Sequence, residues 1–442
     1  MRARCAITAR VQNKPEEGLV RGIRRWDLVA IAINGIIGAG IFGLPSRVYS
    51  LIGTYSIIAF VACALIVALI ILCFAEVSSR FDDTGGPYLY AREAFNPAVA
   101  FEIGWLIWLA RITAFAANGN LLINYLSYFW NSATNDFWRA SIIVFVVAVL
   151  CAINVLGIRQ AAIVSNVFTV GKLVPNIIFC GAGLFFLNPQ AFALGASPTT
   201  GAFSQSVLLL VYAFTGFEMA TIPAGEVREP QRNLPRALLI AILVVAVLYI
   251  LIQIVCVGTL PNLAQSSKPL ADAGSQFLGA AGGAIISAGA IISITGNLNI
   301  LMLSGSRLPF AMAEQKQLPA FIGNVHRSFF TPYIAIVITA GLMLFLTLKS
   351  SFLAALTIST LARLVTYGAT CLALPVLRRR ADQPPLTFRL PAGPIVAVLA
   401  LLLIVWLLLH STLAEAEATA WAGGAGLFIY LAYWLYSRSR SS

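Results

Sequence analysis

The sequence predicts an all-α polytopic membrane protein with about twelve transmembrane helices. Three observations predict it. Hydrophobic residues make up 59% of the chain and charged residues only 10%, with a mean hydropathy of +0.87, a balance far from that of a soluble globular domain. Apolar runs of roughly 18 residues or more, each enough to cross a ~30 Å hydrocarbon core as a helix, recur along the whole length. Lys and Arg outside those runs are shared unequally between alternate connecting segments.

The spans fall near 27–51, 54–78, 98–128, 139–157, 163–187, 203–225, 237–260, 277–303, 331–348, 351–375, 392–410 and 419–436. They are expected to be helices because lipid offers the backbone no hydrogen-bond partners. A β-barrel would show short alternating segments instead, and there are none. With the N-terminus in the cytoplasm, 22 of the 29 Lys and Arg lie on the cytoplasmic side, and four (Arg47, Arg139, Lys268 and Lys349) on the other. The remaining three, Arg111, Lys172 and Arg363, fall inside spans. The net charge of +12 is therefore a topology signal, with both termini cytoplasmic in a plasma (inner) membrane. Charges dispersed over short loops do not suit a nucleic-acid partner.

Residues 1–26 read as a polar, basic cytoplasmic tail without the apolar core and cleavage site of a signal peptide; residues 437–442 form a second short tail. Cys63, Cys73, Cys151, Cys180, Cys256 and Cys371 lie in apolar runs and read as small hydrophobes. His326 and His410 have no partner at ligand spacing, so no metal or cofactor is expected. The Gly-rich phosphate loop of a nucleotide-driven pump is missing, and no catalytic constellation argues for an enzyme. Trp130, Trp138, Tyr128, Trp421 and Tyr436 read as membrane-interface anchors, with lipid as their partner.

Two spans contain residues that weaken helices. INGIIGAGIFGLP (33–45) crowds Gly35, Gly38, Gly40 and Gly43 into span one, and VYAFTGFEMATIPAG (211–225) interrupts span six at Thr215 and Gly216. Glycine costs about 1 kcal/mol in a helix interior. Small residues at such spacing also suit close helix packing. Matching breaks five helices apart, however, point to a transporter site at mid-membrane, since unwound backbone at that depth lines a cavity or is buried in protein. Unwinding at Gly38, Ala39 and Gly40 would expose amides at a half-helix N-terminus, suited to an anion. The preceding carbonyls would suit an ammonium, so one broken helix could hold both ends of a zwitterion.

These two segments, with GGPYLYAREAF (85–95), EVREPQRNLPRAL (226–238) and RLPFAMAEQKQLP (307–319), resemble in order the amino acid–polyamine–organocation (APC) superfamily of transporters. The resemblance implies a five-plus-five inverted repeat, 27–187 and 203–375, with discontinuous helices one and six, two further helices (392–436), and alternating access. It places the substrate carboxylate at backbone amides near Gly38, Ala39, Gly40 and Ile41. The ammonium would meet carbonyls of Ile36, Tyr212, Ala213 and Thr215, with the Tyr212 ring covering the substrate. Many relatives have Ser where this chain has Ala39, so a hydroxyl contact there is absent. The resemblance also implies a proton-coupled role for Lys172 in span five, at the place where sodium-coupled relatives bind sodium.

A lysine at that depth can lose and regain a proton; the alternative is a permanently charged Lys172 bracing span five against the broken span, as in exchangers. Ser293 and Asn297 share a face of span eight and are candidate neighbours of Lys172. Arg111 lies mid-way along span three. It needs a counter-charge, which is expected to be Glu218 of span six, with an acidic substrate side chain as the alternative. Arg363 of span ten is a second intramembrane charge near the gate, and Ser359, one turn earlier, is a candidate substrate contact. Glu76 and Glu102 read as interfacial or gate-forming. The expected function is secondary amino acid transport, proton-coupled or by exchange, with a small-molecule amino acid as partner and no obligatory protein partner. A sensor on the same fold is the alternative from another class; a channel needs neither the paired breaks nor a single buried lysine.

Overall fold

Each of the twelve expected apolar segments is helical in the computed structural model, which describes residues 23–83, 85–156, 161–380 and 387–439. The N-terminal tail through residue 22, Arg159, the last three residues and the Tyr436 side chain lie outside the described residues. Helices α1 (Arg25–Ile36) and α2 (Ala39–Ile52) make the first segment, α3 (Ser56–Ser78) the second. The short α4 (Pro87–Ala94) leads into α5 (Pro97–Leu126), α6 (Asp136–Leu156) and α7 (Ala161–Gly183). Then come α8 (Thr200–Phe214), α9 (Pro230–Thr259), α10 (Pro269–Glu314), α11 (Tyr333–Lys349) and α12 (Phe352–Arg378). The last two are α13 (Gly393–Leu409) and α14 (Leu413–Ser439). No strand occurs among the described residues; a single parallel bridge joins Ile23 to Val227.

Among the described residues, and by length and composition alone, seven helical units are long and apolar enough to cross a membrane, or eight with the α13–α14 pair, bent by 113°. Breaks and turns also regroup the apolar stretches, so these units do not correspond one to one with the twelve segments. The break leaves α1 only 12 residues, α2 and α3 run on as one 40-residue unit, and α11 has 17. Conversely, α10 has 46 residues, ~69 Å at 1.5 Å per residue. Its backbone leaves the helical region at Gly279 (φ +67, ψ −166), close to where the expected span begins.

Local chemistry sets several boundaries. Asn96 caps α5, its Oδ1 accepting the Val99 amide at 2.9 Å, with Pro97 in the first turn. Ser351 caps α12 through the Ala354 amide. α5 runs against α10 and α12, α3 against α9, and α10 against α7. Phe145, Leu402 and Trp421 are more than half exposed on α6, α13 and α14, an apolar surface that lipid would cover. Trp130 and Trp138 meet edge to face with centroids 5.0 Å apart.

Glu76, expected at an interface or gate, is fully buried. Arg378 donates Nε and Nη2 to its two oxygens at 2.7 and 2.6 Å, and the Leu390 amide donates at 2.9 Å. The pair ties α3 to the end of α12 and to the approach to α13. Glu102 instead lies against Gly423 of α14, with a buried oxygen that has no hydrogen-bond partner.

Candidate functional site

The break in the first segment lies at Ile37 and Gly38, one residue earlier than expected. Ile37 is extended (φ −73, ψ 95) and so is Gly38 (φ −129, ψ −152), while Ala39 and Gly40 already belong to the first turn of α2. Gly40 serves contact rather than unwinding: an added Cβ there would sit 2.6 Å from Ala213 Cα and 2.9 Å from Ala213 Cβ. The second break follows Phe214. Gly216 is left-handed (φ +104), which glycine adopts without steric cost. The chain then continues in 3-10 turns, Phe217–Ala220 and Ala224–Glu226, instead of resuming an α-helix. The two breaks touch. A Cβ on Gly35 would lie 2.5 Å from the Gly216 oxygen, and one on Gly216 would lie 2.2 Å from the Gly35 oxygen. Packing and unwinding thus both use these glycines.

Backbone groups freed at the first break are met by side chains from three other helices. Lys172 of α7, 1% exposed, donates Nζ to the carbonyls of Asn34 at 3.1 Å and Ile37 at 3.0 Å. Tyr249 of α9 donates its hydroxyl to the Ile36 carbonyl at 3.2 Å. Asn118 of α5 accepts the Ala39 amide at 3.3 Å and the Asn297 side-chain amide at 3.0 Å on the same oxygen. Its nitrogen donates to the Ala114 carbonyl and the Tyr212 hydroxyl at 2.8 and 3.0 Å. Gly38 leaves room for this network, since a Cβ there would lie 2.3 Å from Asn297 Nδ2.

These contacts show which partners several of the expected site residues have in this conformation. The Ile36 carbonyl, expected for a substrate ammonium, is bonded to Tyr249. The Tyr212 carbonyl accepts the amide and hydroxyl of Thr215 at 3.2 and 2.8 Å. Asn297, expected beside Lys172, is turned to Asn118, and Ser293 Oγ is buried with no hydrogen-bond partner among the described residues. Ser359 donates to the Ala110 carbonyl at 2.8 Å, tying α12 to α5. Each follows from one rule: a buried polar group takes the partner within reach.

Glu218 does not pair with Arg111. Its Oε1 accepts Arg363 Nη1 at 2.8 Å, and its Oε2 accepts the Tyr367 hydroxyl at 2.7 Å and the Gly216 amide at 3.0 Å. Gly216 brings that amide to the carboxylate through its left-handed turn. Arg111 is 2% exposed, and none of its three guanidinium nitrogens has a hydrogen-bond partner among the described residues.

The site comprises two spaces. A cavity of about 20 Å³ at the break is lined by Ile36, Gly38, Ala39, Gly40, Tyr212, Thr215, Asn297 and Arg363. It holds roughly one water and is too small for an amino acid. Ile41, Ala213, Ser359 and Lys172 do not line it. A second cavity of about 1000 Å³ is lined by Arg111 and Glu218, by Arg92 of α4, and by residues of the connecting segments including Gly85, Glu226 and Gln315. Arg363 borders the small space and Glu218 the large one, so their ion pair stands between them.

Asn118, Tyr249 and Tyr367 were missed at the level of sequence. Asn118 lies seven residues, two helical turns, from Arg111, and Tyr367 lies four from Arg363; both spacings put the pair on one helix face. Tyr249 stands in the apolar run VAVLYILIQ with no such signal.

The Asn118 network gives a direct expectation. Asn118→Leu should lower transport at least tenfold, because the Ala39 amide, Asn297 and Tyr212 all lose a partner, at about 1–3 kcal/mol for each buried group left unsatisfied. Uptake by the purified variant measures this; wild-type uptake would mean the network is dispensable. Gly40→Val should both lower the melting temperature and abolish uptake, since overpacking costs about 1–3 kcal/mol and the clash is with Ala213 backbone. A stable, transporting variant would contradict the contact.

Interrupted helices that meet in the bundle interior, bordered by intramembrane charges and an open cavity, define a polytopic membrane transporter. Comparison with known proteins agrees. A family model described as "Amino acid permease" matches residues 23–431. The chain belongs to this family, and with it to the APC superfamily. Three relatives from Bacillus subtilis (strain 168) are similar over most of their length. The serine/threonine exchanger SteT is 30% identical, over 87% of this chain and 90% of the relative. A methylthioribose transporter is 27% identical, over 98% and 97%. A putative arginine/ornithine antiporter is 27% identical, over 91% and 94%. The protein is thus an integral membrane transporter of a family whose named cargoes differ widely.

Proposed function

We propose that this protein carries amino acids across the plasma membrane by alternating access, with the substrate's backbone groups held at the α1–α2 break. The observation that carries this reading is the break itself, held at mid-bundle by Lys172, Tyr249 and Asn118. Its groups can change partners at little cost when a zwitterion replaces the side chains that now satisfy them. The Ala39 amide would pass from Asn118 to a substrate carboxylate at the N-terminus of α2, and the Ile36 carbonyl from Tyr249 to an ammonium. We further propose that residues 27–187 and 203–375 form two inverted repeats that move against one another.

The large cavity opens among the 79–96, 221–229 and 303–317 segments, the face that the Lys and Arg bias assigns to the cytoplasm. The conformation is then inward-open, with the Glu218–Arg363 pair closing the break from the cavity. Opening that pair would let substrate pass from the cavity to the break.

Coupling is proposed to run through Lys172. It is the one amine bonded to the break among the described residues, and no carboxylate holds it as a permanent ion pair. Losing its proton would weaken its hold on the Asn34 and Ile37 carbonyls and loosen the break. Exchange is the second reading, favoured by the names of two relatives, a serine/threonine exchanger and a putative arginine/ornithine antiporter; Lys172 would then be a fixed brace. Uptake of labelled amino acids into proteoliposomes separates the two. An imposed inward proton gradient should drive accumulation above the external concentration. Uptake that ignores the gradient and needs unlabelled amino acid inside would establish exchange.

A further inference from the structure

Arg111 is the one buried charge of the site that the transport reading above leaves without a task. An arginine stays ionised in a protein interior and presents five N–H donors in a planar fork. Here all three nitrogens are buried and lack hydrogen-bond partners among the described residues, although the residue lines the large cavity. The adjacent intramembrane carboxylate, Glu218, has both oxygens engaged by Arg363, Tyr367 and Gly216. The other carboxylates on the cavity wall, Asp82, Asp83 and Glu226, sit on the loop segments, and none bonds to Arg111.

The balance of charge points the same way. At the site, Arg111, Lys172 and Arg363 are met by one carboxylate, Glu218, since Glu76 is taken up by Arg378 and Glu102 lies against α14. A zwitterion would leave that excess unchanged, whereas a substrate with one further negative charge would reduce it. Placement supplies the third argument. Ala114, three residues beyond Arg111 on α5, lines the small cavity at the break. Residues three apart share a helix face and are separated by about 4.5 Å along the axis. A substrate with one carboxylate at the α2 amides could therefore direct a second anionic group along α5 toward Arg111.

We propose that Arg111 receives an anionic group on the substrate, so that the protein carries amino acids with an acidic side chain. The planar fork of arginine binds a carboxylate through two parallel hydrogen bonds, a geometry that lysine cannot copy. The proposal rests on the transport reading, and its test keeps the two apart.

The full-length protein is reconstituted into proteoliposomes, and uptake of labelled glutamate, serine and leucine is measured separately and in competition. Wild type should take up glutamate at least tenfold faster than either neutral amino acid. Arg111→Met should lose that preference while still taking up serine, and Arg111→Lys should give an intermediate ratio. Wild-type uptake of serine or leucine that excess glutamate fails to inhibit would overturn the assignment of an acidic substrate and leave the transport reading standing. Glutamate uptake unchanged in Arg111→Met would overturn the role of Arg111. Uptake of none of the three would overturn this inference, and the transport reading is then decided by counterflow with a wider panel of amino acids. The wild-type competition decides the substrate class even if the variants fail to fold.

Discussion

Replacing Glu218 by Gln should destabilise the protein by about 3–5 kcal/mol, because it leaves Arg363 buried without its counter-ion. Both side chains of the pair are no more than 7% exposed, with Nη1 and Oε1 2.8 Å apart. The Gln oxygen can still accept from the Gly216 amide and Tyr367, but its NH2 then faces Arg363 Nη1, so the charge and the hydrogen bond to Arg363 are both lost. Transport of every substrate should fall, since the pair stands between the cavity and the break. Adding Arg363→Met should recover most of the stability, because removing both members of a buried pair is close to neutral. Adding Arg111→Met instead should recover little, as no hydrogen bond joins Arg111 to Glu218. Thermal melts of the purified single and double variants in detergent test this. Strict additivity of Glu218→Gln with Arg363→Met, or rescue by Arg111→Met, would contradict the pairing.

The second large effect is expected at Lys172. Lys172→Ala removes the donor to two carbonyls at the break, so Asn34 and Ile37 lose a partner at about 1–3 kcal/mol each. Accumulation driven by a proton gradient should fall to the level of passive equilibration. The reading of Lys172 as a coupling group requires more: some downhill uptake or exchange should survive in the variant, without dependence on pH. Loss of exchange along with accumulation would assign Lys172 to bracing alone. Unchanged, pH-dependent accumulation would exclude both roles.

The helices were readable from the sequence because a membrane span is a local property: some 18 apolar residues declare it without reference to the rest of the chain. The breaks were readable for the same reason, as Gly38 and Gly216 stand out against apolar surroundings. Partner choice was not local. Two intramembrane arginines, Arg111 and Arg363, competed for one carboxylate 107 and 145 residues away in sequence, and nothing in composition decides between them. A clue lay unused in the spacing of Arg363 and Tyr367, which places two donors on one face of α12, both reaching Glu218. The unpaired Ile36 carbonyl and Ala39 amide were expected to wait for substrate, yet buried backbone groups rarely go unmet, and Tyr249 and Asn118 meet them. Those partners come from α9 and α5, and only their packing against the break identifies them.

The central claim is that the broken helices form a carrier's substrate site, and counterflow in proteoliposomes tests it most directly. Vesicles containing the reconstituted protein are loaded with a high concentration of one unlabelled amino acid and diluted into a trace of the same labelled compound. A carrier whose site faces one side at a time should accumulate label transiently above its external concentration, then release it as the internal pool drains. Asn118→Leu should reduce that overshoot at least tenfold. Label that only rises to equilibrium, with no overshoot for any amino acid in the panel, would contradict the account.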